Sequence, residues 1–244
     1  MKILVCISHV PDTTSKINFT DNNTRFDTNG VQYIIGPYDD YALARAIEIK
    51  EATPGTTVTV LNIGLPETEP TIRKALAIGA DDAIRVNGEP TDSFFVASQI
   101  AEQAKGFDLI LMGRESIDFN GGVVHAMVGE MLGLPSVSPV MKLDLDGNKA
   151  RLTREIEGGK EMLEITLPLV AGCQEPIAEW KIPNMRGIMS ARTKPLKVVE
   201  PKAMDKSVTS QKFELPPPKG AVKMISADNV GELVTLLKSE AKVL

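Results

Sequence analysis

Side chains able to carry out chemistry are scarce in this sequence. It holds two histidines, two cysteines and one tryptophan in 244 residues. No spacing among His9, His125, Cys6, Cys173 and the carboxylates suggests a metal site, and no serine sits in a glycine-flanked nucleophile turn. Hydrolysis by an activated serine or cysteine is thereby left without its parts. Each cysteine lies in or next to an apolar, strand-like run, which predicts two buried reduced thiols and fits a cytoplasmic setting. No apolar run approaches the roughly 20 residues that span a bilayer, and the opening Met1–Ser8 reads as a core strand, not a signal sequence. The net charge of −5 is spread without an obvious basic face, so nucleic acid is not the expected partner. Neither a Walker A pattern nor a G-x-G-x-x-G after the first strand is present, which excludes a P-loop and the usual dinucleotide fingerprint.

What the chain does have is organised around residues 108–135. A short apolar run, Leu109–Met112, leads into a polar loop with Gly113, Ser116, Asp118, Asn120, Gly121 and Gly122. An amphipathic helix bearing Val124, Met127, Val128, Met131 and Leu132 follows. Strand, glycine-bearing loop and helix in this order place free N–H groups and a positive helix end at a sheet crevice, where an anionic ligand such as a nucleotide phosphate belongs. Further strands are predicted at Lys2–Ile7, Val58–Ile63 and Ala83–Val86. Of the intervening helices, the first opens at Gly36-Pro37-Tyr38 with Asp39 and Asp40 in its first turn, and the others span Thr71–Ile78 and Asp92–Lys105. Such alternation predicts an α/β fold, an open, mainly parallel, doubly wound sheet of the Rossmann-like, adenine-nucleotide-binding kind. Residues 16–31 read as an inserted hairpin turning at Asp21-Asn22-Asn23. Lys142–Arg154 and Met162–Leu167 read as antiparallel hairpins on one sheet edge, and Leu169–Cys173 as one more buried strand. Glu175–Pro218 shows no periodicity and carries Arg186, Arg192, Lys194 and Lys197; loops this long are usually functional or partner-bound. Asn229–Lys242 is an amphipathic helix set off by Pro216-Pro217-Pro218. The expected organisation is a nucleotide-binding domain over 1–198 and a C-terminal arm over 199–244. His9 reads as a loop or ligand-edge residue. Asp12, Asp39, Asp40 and Asp118 stand at strand–helix junctions, where helix capping competes with a Mg²⁺ or ribose role.

Six segments in one order carry a family resemblance: Ile3–Val10 with Pro11-Asp12-Thr13, Gly36-Pro37-Tyr38-Asp39, Ala75–Asp81, Gly113–Asp118, Arg154–Glu161 with Pro168, and Ile182–Met189 with Lys194-Pro195. Together they resemble the small (beta) subunit of electron transfer flavoproteins over nearly the whole chain. The resemblance implies an electron carrier, not an enzyme, paired with a larger alpha subunit that holds most of the site for the redox-active FAD. It further implies an AMP in the small subunit, lined by Cys6, Gly36, Pro37, Tyr38, Asp39, Ile63 and the loop Gly113, Arg114, Glu115, Ser116, Ile117, Asp118, Phe119, Asn120, Gly121, Gly122, Val123 and Val124. Ile182, Pro183, Met185, Ile188 and Met189 would form a recognition segment for acyl-CoA-type dehydrogenases, with a quinone reductase as electron acceptor and fatty acid β-oxidation as the setting. The arm would embrace the alpha subunit. Ser8-His9 and Gly36 depart from the family's commoner Lys-Arg/Gln and Asn. The Val10–Thr13 motif also occurs in members that hold a second FAD in place of AMP and split electron pairs. A stand-alone ATP-binding or hydrolysing domain is the alternative of another class, but Ser8–Thr14 is not the glycine- and serine-rich phosphate loop it needs.

Overall fold

A computed structural model describes residues 1–204 and 207–244; residues 205 and 206, in the expected arm, lie outside the described residues. In chain order the principal elements are β1 (Lys2–Cys6), α1 (Pro37–Ala52), β2 (Thr57–Ile63), α2 (Glu69–Ile78), β3 (Asp82–Val86), α3 (Ser93–Gln103), β4 (Leu109–Gly113) and α4 (Val124–Leu132). There follow β5 (Ser136–Asp146), β6 (Lys149–Ile156), β7 (Gly159–Thr166), β8 (Leu169–Cys173), α5 (Met185–Ala191), β9 (Leu196–Val199) and α6 (Val230–Ser239). The strands form one sheet in the order β7-β6-β5-β8-β4-β1-β2-β3-β9. The seven strands from β5 to β9 in that order run parallel, and β6 and β7 extend the β5 edge antiparallel.

The apolar run of β1 divides between two cores because successive side chains face opposite ways. Ile3 and Val5 meet Leu43 and Ile47 of α1 and Ile72 and Leu76 of α2 on one face. Leu4 and Cys6 meet Ala97 and Ile100 of α3 and Val128 of α4 on the other. Helices on both faces explain why β4 and β8 are apolar along their whole length and β1 from Ile3 to Cys6. From β1 the chain steps to β2 and β3 on one side, then crosses to β4 on β1's other side. That reversal opens a crevice beyond the carboxyl ends of β1 and β4.

The helix boundaries follow local chemistry. Asp92 precedes α3 and accepts a hydrogen bond from Phe95 N at 2.7 Å, and Asn229 caps α6 through Glu232 N. Gly133 ends α4 at φ 66°, a left-handed conformation that favours glycine. The inserted hairpin is a two-residue ladder, Phe19–Thr20 with Arg25–Phe26. The segment read as aperiodic from Glu175 to Pro218 requires correction, since it contains α5 and β9, the latter paired with β3 from Leu196↔Ala83 to Val199↔Val86. A seven-residue helix and a four-residue edge strand are too short to show a period, and most of their side chains are exposed.

Candidate functional site

Asp39 organises the crevice. It sits in the first turn of α1, yet its carboxylate turns inward, accepting hydrogen bonds from Ser8 N (2.8 Å), Ser8 Oγ (2.5 Å) and Gly113 N (2.7 Å). One buried side chain thus ties the ends of β1 and β4 together at the switch point. Burial pushes its pKa up to about 6, opposed by those hydrogen bonds and reinforced by Asp118. Two glycines make room for it. A Cβ on Gly36 would run into Ser8 Oγ and Asp39 Oδ2, and one on Gly113 would lie 2.7 Å from Asp39 Oδ1 and from Tyr38 Cβ. Asp39 is therefore neither a helix cap nor, with both oxygens engaged, a free ligand. Asp12 closes its own turn by accepting from Thr14, and Asp118 accepts from Ser116 Oγ. Asp40 lies 3.9 Å from Lys74, and burial raises its pKa to about 6 against that cation.

Beyond this clamp lies a cavity of about 660 Å³. Its polar end is formed by Ser8, His9, Asp39, Arg114, Glu115, Ser116 and Asp118, and its apolar walls by Ile63, Val96, Ile100, Met112, Val124 and Met127. Arg114 is held by Gln174 (3.1 Å) and Glu115 (2.8 Å) and lies 4.7 Å over the Tyr38 ring. α4 starts at the cavity with no side chain capping it, so its first-turn N–H groups stay free for an anionic group. Slender loop residues at Gly121 and Gly122 border the same opening. A flat, largely apolar ring system carrying a phosphate fits this donor set and shape.

Of the residues expected here, Cys6, Asp39, Ile63, Gly113, Arg114, Glu115, Ser116, Asp118, Phe119, Gly121, Gly122, Val123 and Val124 line the cavity together. Gly36, Pro37, Tyr38, Ile117 and Asn120 do not; Gly36 and Tyr38 act behind the wall, through the clamp and beneath Arg114. The far wall is formed by Pro90–Phe94 with Ser207, Val208 and Ser210, none of them among the residues expected from the sequence. The same strand-to-helix logic applied to β3 would have found Pro90–Phe94, where Asp92 announces a helix cap. No local signal marks Ser207–Ser210, which arrives from the far end of the chain. Asp92 Oδ2 holds it there, accepting from Ser207 N (2.8 Å) and Val208 N (3.2 Å). His9 borders the cavity, stacked on Tyr33 and bonded to Thr71 Oγ1 at 2.8 Å. The thiols of Cys6 and Cys173 are both buried and free, and burial pushes their pKa values up, that of Cys173 to about 12. Neither is a nucleophile. Among the described residues no cluster of His, Cys, Asp and Glu could hold a metal, and no helix is long and apolar enough to cross a membrane.

Comparison with known proteins places this geometry. The electron transfer flavoprotein domain family matches residues 24–204. The electron transfer flavoprotein subunit beta of Bacillus subtilis is 36% identical over 261 aligned residues, covering 100% of both chains. The chain belongs to the beta subunits of the electron transfer flavoprotein family. The namesake subunit of Syntrophomonas wolfei is 36% identical over 91% of this chain and 88% of its own. The caffeyl-CoA reductase-Etf complex subunit CarD of Acetobacterium woodii is 30% identical over 99% and 98%. As an electron transfer flavoprotein subunit, the chain is part of an electron carrier rather than an enzyme.

A second group of residues lies apart from the cavity. Ile182, Met185 and Met189 are 75%, 74% and 68% exposed, and Ile188 and the nearby Trp180 are exposed as well. Pro183 is half-buried. Asn184 caps α5 by accepting from Gly187 N at 2.8 Å. The basic residues expected to flank this patch differ in setting. Arg186, Arg192 and Lys197 are exposed, whereas the Lys194 ammonium is turned inward to the carbonyls of Leu76 and Ala80.

Proposed function

We propose that this chain is the small half of a heterodimeric electron carrier that takes electrons from acyl-CoA-type dehydrogenases and delivers them to a quinone reductase, in the cytoplasm and in the service of fatty acid β-oxidation. Its alpha subunit would hold the redox-active FAD, whose site this chain completes, and the cavity at the β1–β4 switch point would hold AMP. The observation that carries the nucleotide reading is the cavity itself, where the uncapped start of α4 and the Gly113–Val124 loop meet apolar walls wide enough for a purine ring. Bound flavin supplies the redox chemistry. The chain's own residues place the nucleotide. Asp39 fixes the separation of the two strand ends, the Arg114 guanidinium offers donors at the polar end, and Ile63, Ile100 and Met112 exclude water from the ring. The arm over 199–244 would pack on the alpha subunit, because α6 buries no residue on this chain and leaves Val230, Leu233 and Val234 exposed.

A second reading places a working FAD in the same cavity, in an electron-splitting complex. It is favoured by the Val10–Thr13 motif, by the length of a cavity reaching from His9 to Val208, and by the likeness to a subunit of a caffeyl-CoA reductase-Etf complex. Co-expression with the alpha subunit, denaturation of the purified complex and quantitation of released nucleotides separate the two. One FAD and one AMP per heterodimer supports the carrier, two FAD and no AMP the electron-splitting form. Neither nucleotide beyond a single FAD would refute the cavity assignment altogether.

A further inference from the structure

Met185, Ile188 and Met189 of the exposed patch are carried by a seven-residue helix, a length that is unstable alone in water, and Ile182 by the segment just before it. Its attachment is accordingly specific. Arg73 of α2 donates through Nη1 to the carbonyls of Ala191 and Lys194, both at 2.9 Å, at the carboxyl end of α5. Lys194 reciprocates, donating through Nζ to Leu76 O (2.8 Å) and Ala80 O (2.5 Å) at the carboxyl end of α2. Each helix's negative end thus receives a cation from the other segment. Between them Gly187 lies against the Ala77 carbonyl so closely that a Cβ would collide with it. Ala191 is buried in the core, and Ala83 N binds Pro195 O at 3.0 Å as the chain enters β9. At the other end Lys181 pairs with Glu51 of α1 at 3.0 Å.

We infer that Arg73, Gly187 and Lys194 are positioning residues that hold α5 rigidly against α2, so that the exposed patch meets an electron-donating dehydrogenase without an ordering cost. The inference rests on the reading of that patch as the docking segment. None of the three presents its polar group to a partner; they act through the orientation of Met185, Ile188 and Met189. A preorganised patch binds more tightly than a loose one because its side chains are immobilised beforehand. Loosening the mount therefore weakens the encounter complex and leaves the flavin and its environment alone.

The test uses the holo heterodimer as varied substrate for a purified acyl-CoA dehydrogenase and its acyl-CoA, following flavin reduction. Lys194→Met is expected to raise the KM for the carrier about fivefold or more, with kcat, flavin content and nucleotide content unchanged. Lys194→Arg, which retains the donors, restores the parent value. The salt dependence of KM stays as in the parent, because the ammonium removed is not one the partner meets. A KM rise with a flattened salt dependence would show instead a free surface charge and overturn the inference. Gly187→Ala reads the same mount without touching charge, and serves where Lys194→Met fails to fold. Met189→Ala and Ile182→Ala test the docking reading itself. If they raise KM while Lys194→Met and Gly187→Ala do not, the mount is refuted and the docking segment stands; if none of the four changes KM, both fall.

Discussion

Replacing Asp39 by asparagine should change how the stability of the protein depends on pH. Asp39 is 5% exposed, and burial lifts its pKa from 3.8 to about 6 despite the hydrogen bonds from Ser8 and Gly113. A group whose folded-state pKa lies above its unfolded value binds more protons in the folded state. The stability carried by its neutral form is complete below the unfolded pKa and is lost as pH rises through the folded one. A rise of that size corresponds to about 3 kcal/mol in full, of which about 1.5 kcal/mol falls between pH 5 and pH 7.5. Asparagine carries no such slope. Its amide group would also face one of three donors, a pH-independent cost of about 1–3 kcal/mol. The difference in unfolding free energy between Asp39→Asn and the parent should therefore move by about 1.5 kcal/mol in the variant's favour from pH 5 to pH 7.5. Asp40, also raised to about 6, is relieved by loss of the neighbouring charge and shifts the difference the same way. Urea unfolding followed by far-ultraviolet circular dichroism at pH 5, 6 and 7.5 measures it. Parallel profiles for the two proteins would refute the argument that this carboxylate is held desolvated between β1 and β4.

Three other outcomes follow from the same geometry. Gly113→Ala should cost about 1–3 kcal/mol in urea unfolding, because the new Cβ overlaps Tyr38 and Asp39, and should lower the nucleotide recovered from the purified heterodimer. Leu111→Ala, at a fully buried site in β4, should destabilise by about 2–5 kcal/mol, whereas Glu164→Gln, on an exposed β6–β7 pair, should change stability by less than about 1 kcal/mol. Cys6 and Cys173 should resist a thiol reagent in the native protein and react only as it unfolds, so that labelling tracks loss of circular dichroism; prompt labelling at pH 7 would contradict their burial.

The doubly wound sheet was legible because its signals are local. β1 and β4 are apolar on both faces and β2 mostly so, and the helices between them carry their own stripes, so hydrophobic periodicity separates strand from helix. The loop from Gly113 to Val124 was legible for the same reason, as a polar, glycine-bearing stretch between two such elements. α5 and β9 were not. Met185, Ile188 and Met189 point away from the core, and Leu196–Val199 gains its identity from hydrogen bonds to β3. A strand defined by its neighbour leaves little trace in its own composition. Lys194 shows the same limit for charge, since in sequence it belongs to a basic group and in space it caps α2.

By itself, then, the sequence determined the fold class, the parallel core, the strand whose end opens the crevice, and the kinship carried by six ordered segments. Each depends on residues within one element or one turn, where backbone geometry leaves few options. Only the tertiary structure decided that Asp39 is a clamp and not a ligand, that Gly36 and Gly113 serve to accommodate it, that Ser207–Ser210 closes the cavity, and that Arg73 and Lys194 fasten α5. Gly36 and Asp39 aside, these are contacts between residues tens to more than a hundred positions apart. Their formation depends on how whole elements pack, and no local preference of the residues involved specifies it.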